Sequence, residues 1–222
     1  MIIDSNTVWV FDLDDTLYGE RKYQQSGYNH LIRLINDIYE VDVSDIVASS
    51  MKSNLDVLEE ICLHLKLPLG VKETLLWEYR LHLPNIELDK NVVETIGLIR
   101  ANSLGVAILT DGRALSQRKK LASLKLSSID ALISEEWGES KPGEKRFLHV
   151  QNKYPDAVEF IYVGDNIIKD FITPNNLGWT TIGLKDSGSN IHPQEIDKIS
   201  SNYLPNIWIE KIEELQSLYA KQ

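Results

Sequence analysis

Three apolar runs in this chain each stop abruptly at polar or glycine-containing signals. They are VWVF (Val8 to Phe11) before Asp12, GVAILT (Gly105 to Thr110) before Asp111-Gly112, and FIYV (Phe160 to Val163) before Gly164-Asp165. Short runs rich in β-branched and aromatic residues read as strands, and their near-continuous apolarity suits strands covered on both faces. DALIS (Asp130 to Ser134) and WTTIGL (Trp179 to Leu184) are weaker candidates of the same kind. Helix-period stretches separate them: Lys90 to Asn102, Ser116 to Leu126 with its basic QRKK face, and Gly143 to Lys153 after Pro142. Strand alternating with helix predicts an α/β fold, a parallel sheet with helices on both faces.

Arg21 to Pro84 breaks the alternation. Tyr28, Leu31, Leu34, Ile35 and Ile38 follow helical spacing, as do Leu55, Leu58, Ile61, Cys62 and Leu65, and then Leu75, Leu76, Tyr79 and Leu83. The expected organisation is a core of residues 1–17 and 88–222, with a helical domain, residues 18–87, inserted after the first strand. Lys185 to Glu195 reads as a surface loop and Trp208 to Tyr219 as a closing helix.

At 222 residues and 43% hydrophobic, the chain can bury a proper core. Its formal charge of −10, with no stripe of Lys and Arg, argues against nucleic acid as the main partner but permits a small phosphorylated ligand held by local cations. The single cysteine, Cys62, lies in the apolar stretch ICLHL and is expected to be a buried, inert thiol in a reducing compartment. MIIDSNTV lacks the features of a secretory leader, and nowhere do about 18 apolar residues run together, as a membrane span requires. The expectation is a cytoplasmic protein, monomer or homodimer, with no membrane partner.

In parallel α/β sheets ligands bind outside the carboxyl ends of the strands. Asp12 and Asp14 follow the first strand, Thr110 ends the second strong one, Lys141 follows DALIS, and Asp165 with Asp170 follows FIYVG. Converging carboxylates repel in a dry cleft unless a counter-charge joins them. An all-oxygen set without His or Cys points to Mg2+, which binds through one or two carboxylates, waters and a substrate phosphate. With a hydroxyl and an ammonium added, the inventory matches phosphoryl transfer, and one aspartate is free to act as nucleophile.

FDLDDT, ILTDG, SKPGE and VGDNIIKD, in that order, resemble the four motifs of the haloacid dehalogenase-like (HAD) hydrolase superfamily. The helical insert between the first two resembles that superfamily's type-one cap, so the resemblance covers essentially the whole chain and implies a Rossmann-like core with an inserted helical cap. It implies that Asp12 is the nucleophile forming an aspartyl-phosphate and Asp14 the general acid, then base. Thr110 would bind the phosphoryl group, aided by the backbone amides of Asp111 and Gly112, and Lys141 would neutralise nucleophile and phosphate together. Asp165 would join Asp12 and the Asp14 carbonyl around Mg2+, with Asp170 ligating through water or orienting Lys141.

Asp111 stands where many members have Asn or Ser, so contacts with phosphate there are expected through backbone only. Asp15 and Thr16 are expected to serve the turn. An acid two residues after the nucleophile favours a phosphatase over a dehalogenase, because a protonated leaving oxygen is needed only by the former. The expected activity is Mg-dependent hydrolysis of a small phosphorylated metabolite, a sugar phosphate or nucleoside monophosphate. A phosphosugar mutase, sharing every core residue, and a non-catalytic HAD-fold binding protein are the alternatives. A P-loop ATPase is not supported: GESKPGEK places Glu144 before the lysine and Arg146 after it.

Overall fold

The computed structural model describes residues 5–196 and 199–217. The chain forms two compact units: Met1–Arg21 with Glu87–Gln222, and Lys22–Ile86.

The first unit carries a six-stranded sheet: β1 (Thr7–Phe11), β2 (Gly105–Thr110), β3 (Asp130–Ile133), β4 (Glu159–Gly164), β5 (Thr180–Leu184) and β6 (Ile207–Ile209). The spatial order is β3-β2-β1-β4-β5-β6 and every pairing is parallel. β1 is buried along its whole length. The alternating connections supply the helices, and Val8, Val10, Ala107, Leu109, Leu132, Phe147, Val150, Tyr162, Phe171 and Trp179 form one apolar cluster. This is the expected α/β Rossmann-like sheet.

Register decides where the polar residues land. Phe11 pairs with Ile108 on β2 and with Val163 on β4. Asp12 therefore leaves the sheet one residue beyond that level, and Thr110 and Asp165 two residues beyond it on the flanking strands. The strand order reverses at β1, and such a switch point leaves a crevice at the carboxyl ends.

The second unit contains most of α1 (Glu20–Tyr39), then α2 (Ser44–Lys52), α3 (Val57–His64) and α4 (Val71–Leu81). Leu31, Ile35, Val43, Val47, Val57, Leu58, Ile61, Cys62 and Leu75 make its own apolar core. Cys62 is fully buried there. The spacing of apolar residues predicts three of these helices. α2 is not visible in that pattern, because SDIVASSMK buries only Val47 and Ser50.

The remaining helices are α5 (Lys90–Asn102), α6 (Ala114–Ser123), α7 (Ser134–Trp137), α8 (Lys145–Lys153), α9 (Ile172–Asn176) and α10 (Glu214–Ser217). The end of the chain corrects the expected closing helix over Trp208 to Tyr219. Ile207–Ile209 is a strand paired to β5, and Asn206 Oδ1 accepts the Thr181 N–H at 2.8 Å to start that pairing. Isolated Ile and Trp beside Glu and Lys read equally well at either period, and the open edge of β5 settles the choice. Helix begins only at Glu214, and Tyr219 lies outside the described residues.

Asp56 caps α3, its carboxylate accepting from Leu58 N and Glu59 N, both at 3.1 Å, and it meets Lys72 Nζ from α4 at 2.7 Å. The Lys72 ammonium holds the Asp56 carboxyl below its ordinary 3.8, the backbone N–H groups adding to the effect. Asp56→Ala is expected to destabilise the helical unit by about 1 kcal/mol, the usual loss for an N-cap. Because the folded value is depressed, that contribution is present above the unfolded value and lost as pH falls through the folded one. Urea unfolding of both proteins at pH 7 and pH 3 checks it, with the difference shrinking at the lower pH.

Candidate active site

Asp12 follows β1 directly, and its N–H donates to Val163 O at 2.8 Å, which carries the strand ladder one residue further. Its carboxylate points at Lys141, whose Nζ lies 2.7 Å from Asp12 Oδ1 and 2.6 Å from Asp170 Oδ1. The Tyr162 hydroxyl completes the group, 3.1 Å from Lys141 Nζ and 3.0 Å from Asp170 Oδ1. Asp170 Oδ2 accepts the backbone N–H groups of Asp165 and Asn166 at 3.1 and 2.8 Å. Asp170 is thus fully buried and committed to holding Lys141 and the loop after β4.

Charge explains the arrangement. Burial alone would lower the Lys141 ammonium, but the carboxylates of Asp12 and Asp170 outweigh it and hold the lysine well above its usual value. Burial pushes Asp12 up to about 7 against the pull of Lys141, with Asp170 and Asp14 adding to the rise. Asp165 is pushed up to about 9, chiefly by burial and then by Asp170 and Asp12. One lysine therefore does not balance three buried carboxylates. Oxygen atoms of Asp12, Asp165 and Asp170 all lie within 4.8 Å of one another. Each Asp170 oxygen already meets two donors, whereas Thr16 and Asn190 each engage one Asp165 oxygen and Lys141 engages Oδ1 of Asp12, so Asp12 and Asp165 are the pair with lone pairs to offer. A hard divalent cation fits that donor set.

Asp165 is itself positioned: Thr16 Oγ1 donates to its Oδ1 at 3.1 Å and Asn190 Nδ2 to its Oδ2 at 2.8 Å. Asp15 sits in the left-handed region at φ 55°, and its carboxylate accepts from Glu20 N and Ile191 N, both at 2.8 Å. These two residues after Asp14 shape the turn, and Thr16 also touches Asp165, the acid that follows β4.

Asp14 has a separate set of partners. Lys120 Nζ reaches its two oxygens at 2.8 and 2.9 Å, Gln117 Nε2 donates to Oδ2 at 2.8 Å, and the Tyr18 hydroxyl donates to Oδ1. Gln117 also donates to Thr110 Oγ1 at 2.8 Å, linking the acid to the hydroxyl that ends β2. Sequence reading missed Gln117 and Lys120. They lie one helical turn apart on α6 inside a run that looks like a solvated basic face, yet both are buried, whereas Arg118 between them reaches out to Glu136. The i, i+3 spacing was the available signal.

Around Thr110, Asp111 accepts Lys141 N at 3.1 Å and Arg146 Nη2 at 2.7 Å. Gly112 adopts φ 141°, and its N–H donates to Ser134 Oγ at 2.9 Å, so that amide is already used within the fold. Arg113 turns away to Glu135 at 2.6 Å. A cavity of about 140 Å3 is lined by Asp12, Asp14, Thr110, Asp111, Lys141 and Asp165, together with Asp15, Glu20, Asn166, Lys169 and His192. Gly112 and Asp170 stand behind this lining. Burial, and then Asp14, push Glu20 up to about 7.

The model of the haloacid dehalogenase-like hydrolase family matches residues 9–184, a span that contains every one of these side chains except His192 and Asn190. The chain belongs to that family. It is 23% identical over 213 residues to a glyceraldehyde 3-phosphate phosphatase of Methanocaldococcus jannaschii, covering 89% of this chain and 93% of that one. A protein of the same name from Methanopyrus kandleri is 25% identical over 222 residues, covering 93% and 94%. Among solved structures, the magnesium-bound HAD hydrolase YfnB of Bacillus subtilis superposes with a TM-score of 0.66 at 18% identity, over 98% of this chain and 100% of that one. A HAD phosphatase from Thermococcus onnurineus gives 0.60 at 18% identity over 96% and 97%. A 2-haloacid dehalogenase from Pseudomonas syringae gives 0.61 at 19% over 98% of each. Phosphatases and dehalogenases thus share this HAD fold.

No helix among the described residues is long and apolar enough to cross a membrane. Asp170→Asn leaves Asp12 beside Lys141 but puts an NH2 group where either Lys141 and Tyr162 or the Asp165 and Asn166 N–H groups need an acceptor, and is expected to lower stability by about 2 kcal/mol, the cost of unmet buried donors. Denaturant unfolding of wild type and variant checks this, and a loss below about 1 kcal/mol would contradict the role given to Asp170.

Proposed function

We propose that this protein is a Mg2+-dependent phosphatase that hydrolyses a small phosphorylated metabolite through an aspartyl-phosphate on Asp12. The observation that carries the reading is Lys141 held between Asp12 and Asp170, facing the Thr110 hydroxyl and the Asp14 carboxylate around one cavity. The relatives named as phosphatases support it.

Lys141 engages one oxygen of Asp12, which leaves the other to attack phosphorus. The Asp12 O–P bond forms as the ester P–O bond breaks, and Asp14, which must first take up a proton from solvent as the anionic phosphate enters, passes that proton to the departing oxygen. Asp14 then takes a proton from the attacking water, the acyl phosphate O–P bond breaks, and Asp12 is restored with release of orthophosphate. Thr110 and Lys141 hold the phosphoryl oxygens, where preorganised donors stabilise developing charge. Asp12, Asp165 and the Asp14 carbonyl would hold Mg2+. When bound, the cation neutralises phosphate charge and aligns the phosphoryl group with the nucleophile. In this reading the helical unit, residues 22–86, is the counterpart of the family's helical cap.

The names of the relatives make a three-carbon aldehyde phosphate the first substrate to try, beside sugar phosphates and nucleoside monophosphates. Orthophosphate release from that panel is expected with Mg2+, to vanish with EDTA, and to fall on the order of a thousandfold or more in Asp12→Asn, as for loss of a covalent nucleophile. Near-native release by the variant would reject the nucleophile assignment.

Lys120 provides a finer check. Lys120→Met removes the strongest anchor of Asp14, so the loss should depend on how much the leaving group needs a proton. An alkyl phosphate is expected to lose on the order of tenfold or more in kcat/KM relative to p-nitrophenyl phosphate, whose leaving group departs without one. Equal losses on both would show that Lys120 acts elsewhere.

A further inference from the structure

Arg146 is fully buried, yet it does not line the cavity. It lies near the start of α8, and Nη1 donates to Thr110 O at 2.9 Å and Leu132 O at 3.2 Å, joining the carboxyl ends of β2 and β3. Nη2 donates to Asp111 Oδ1 at 2.7 Å. Asp111 is itself part of the cavity wall. That wall carries Asp12, Asp14, Asp15, Glu20, Asp111 and Asp165, against Lys141 and Lys169. Lys169 Nζ stays 3.9 Å from Asp111 Oδ2, so the close cation at Asp111 is Arg146.

An anion entering such a wall meets a repulsion that each unpaired carboxylate increases. A guanidinium placed behind the wall removes one of those charges without occupying the space the ligand needs, and its fixed fork reaches two backbone carbonyls and the carboxylate at once, which an ammonium does less well. Building on the phosphatase reading, we infer that Arg146 sets phosphate affinity through Asp111: it is a positioning residue whose positive charge cancels that carboxylate from behind the cavity.

Breaking one ion pair from its two ends separates charge from architecture. Arg146→Met leaves the Asp111 carboxylate with Lys169, at 3.9 Å, as its remaining ion-pair partner, whereas Asp111→Asn keeps the backbone amide and removes the guanidinium's counter-charge. Calorimetric titration of orthophosphate into the Mg2+-loaded protein is expected to give a Kd about tenfold or more weaker for Arg146→Met and severalfold tighter for Asp111→Asn, since one unit charge near a bound dianion is worth at least that much. Arg146→Lys, which keeps the charge while losing the fork, is expected to weaken binding by less than about tenfold, between wild type and Arg146→Met. A purely architectural bridge would weaken binding from both ends, and that result overturns the inference. Should Arg146→Met fail to fold, the signs for Asp111→Asn and Arg146→Lys still decide: weakening of either folded variant by tenfold overturns it. Wild type that binds no orthophosphate would overturn the phosphatase reading and this inference with it. Wild-type binding with unchanged affinity in Arg146→Met would overturn this inference alone.

Discussion

The contact on which the site depends is the Lys141 ammonium between Asp12 and Asp170. A lone ammonium does not stay charged in a dry interior, and a pair of carboxylates does not approach there without a cation. Each requirement answers the other. Asp170 reaches Lys141 only because the loop after β4 folds back and gives it the N–H groups of Asp165 and Asn166. Lys141 is held at its other end through its own backbone N–H on Asp111. The loops after β1, β2, β3 and β4 are thereby pulled to one point by charge, where the sheet alone would only bring their starting levels into line.

A second layer stands behind the first. Lys120 and Arg146, both buried, each take up an acid that faces the cavity, Asp14 and Asp111 respectively. An acidic wall can then receive an anion because part of its charge is answered by cations that the ligand never touches. The two lysines and the arginine differ in what they face: only Lys141 stands in the wall itself.

The strands and the residues at their ends were legible because the evidence is local. An apolar run that stops at an acid declares both a buried strand and the level at which it leaves the sheet, and Asp12, Asp14, Thr110, Asp111, Lys141 and Asp165 all line one cavity. What stayed hidden is whatever depends on a distant partner. Lys120 and Arg146 sit in helices among residues of their own kind, and only the carboxylate each meets across the fold separates them from solvated neighbours. β6 is three residues long and is a strand because β5 offers an edge; α2 buries one apolar side chain and is a helix because α3 lies against it.

The path of the chain through the sheet also governs the order in which this protein can be made. β1 emerges first, yet its neighbours in the sheet begin at Gly105 and Glu159, on the far side of the helical unit. During synthesis the helical residues are complete by Ile86, with an apolar core drawn entirely from near neighbours in sequence. They can collapse while β1 still waits, unpaired, for most of the chain to follow. Domains tend to fold as units as they emerge, and pairings of long sequence separation come late. The strand that leads into Asp12 is therefore the first part of the sheet to be made and among the last to find its place.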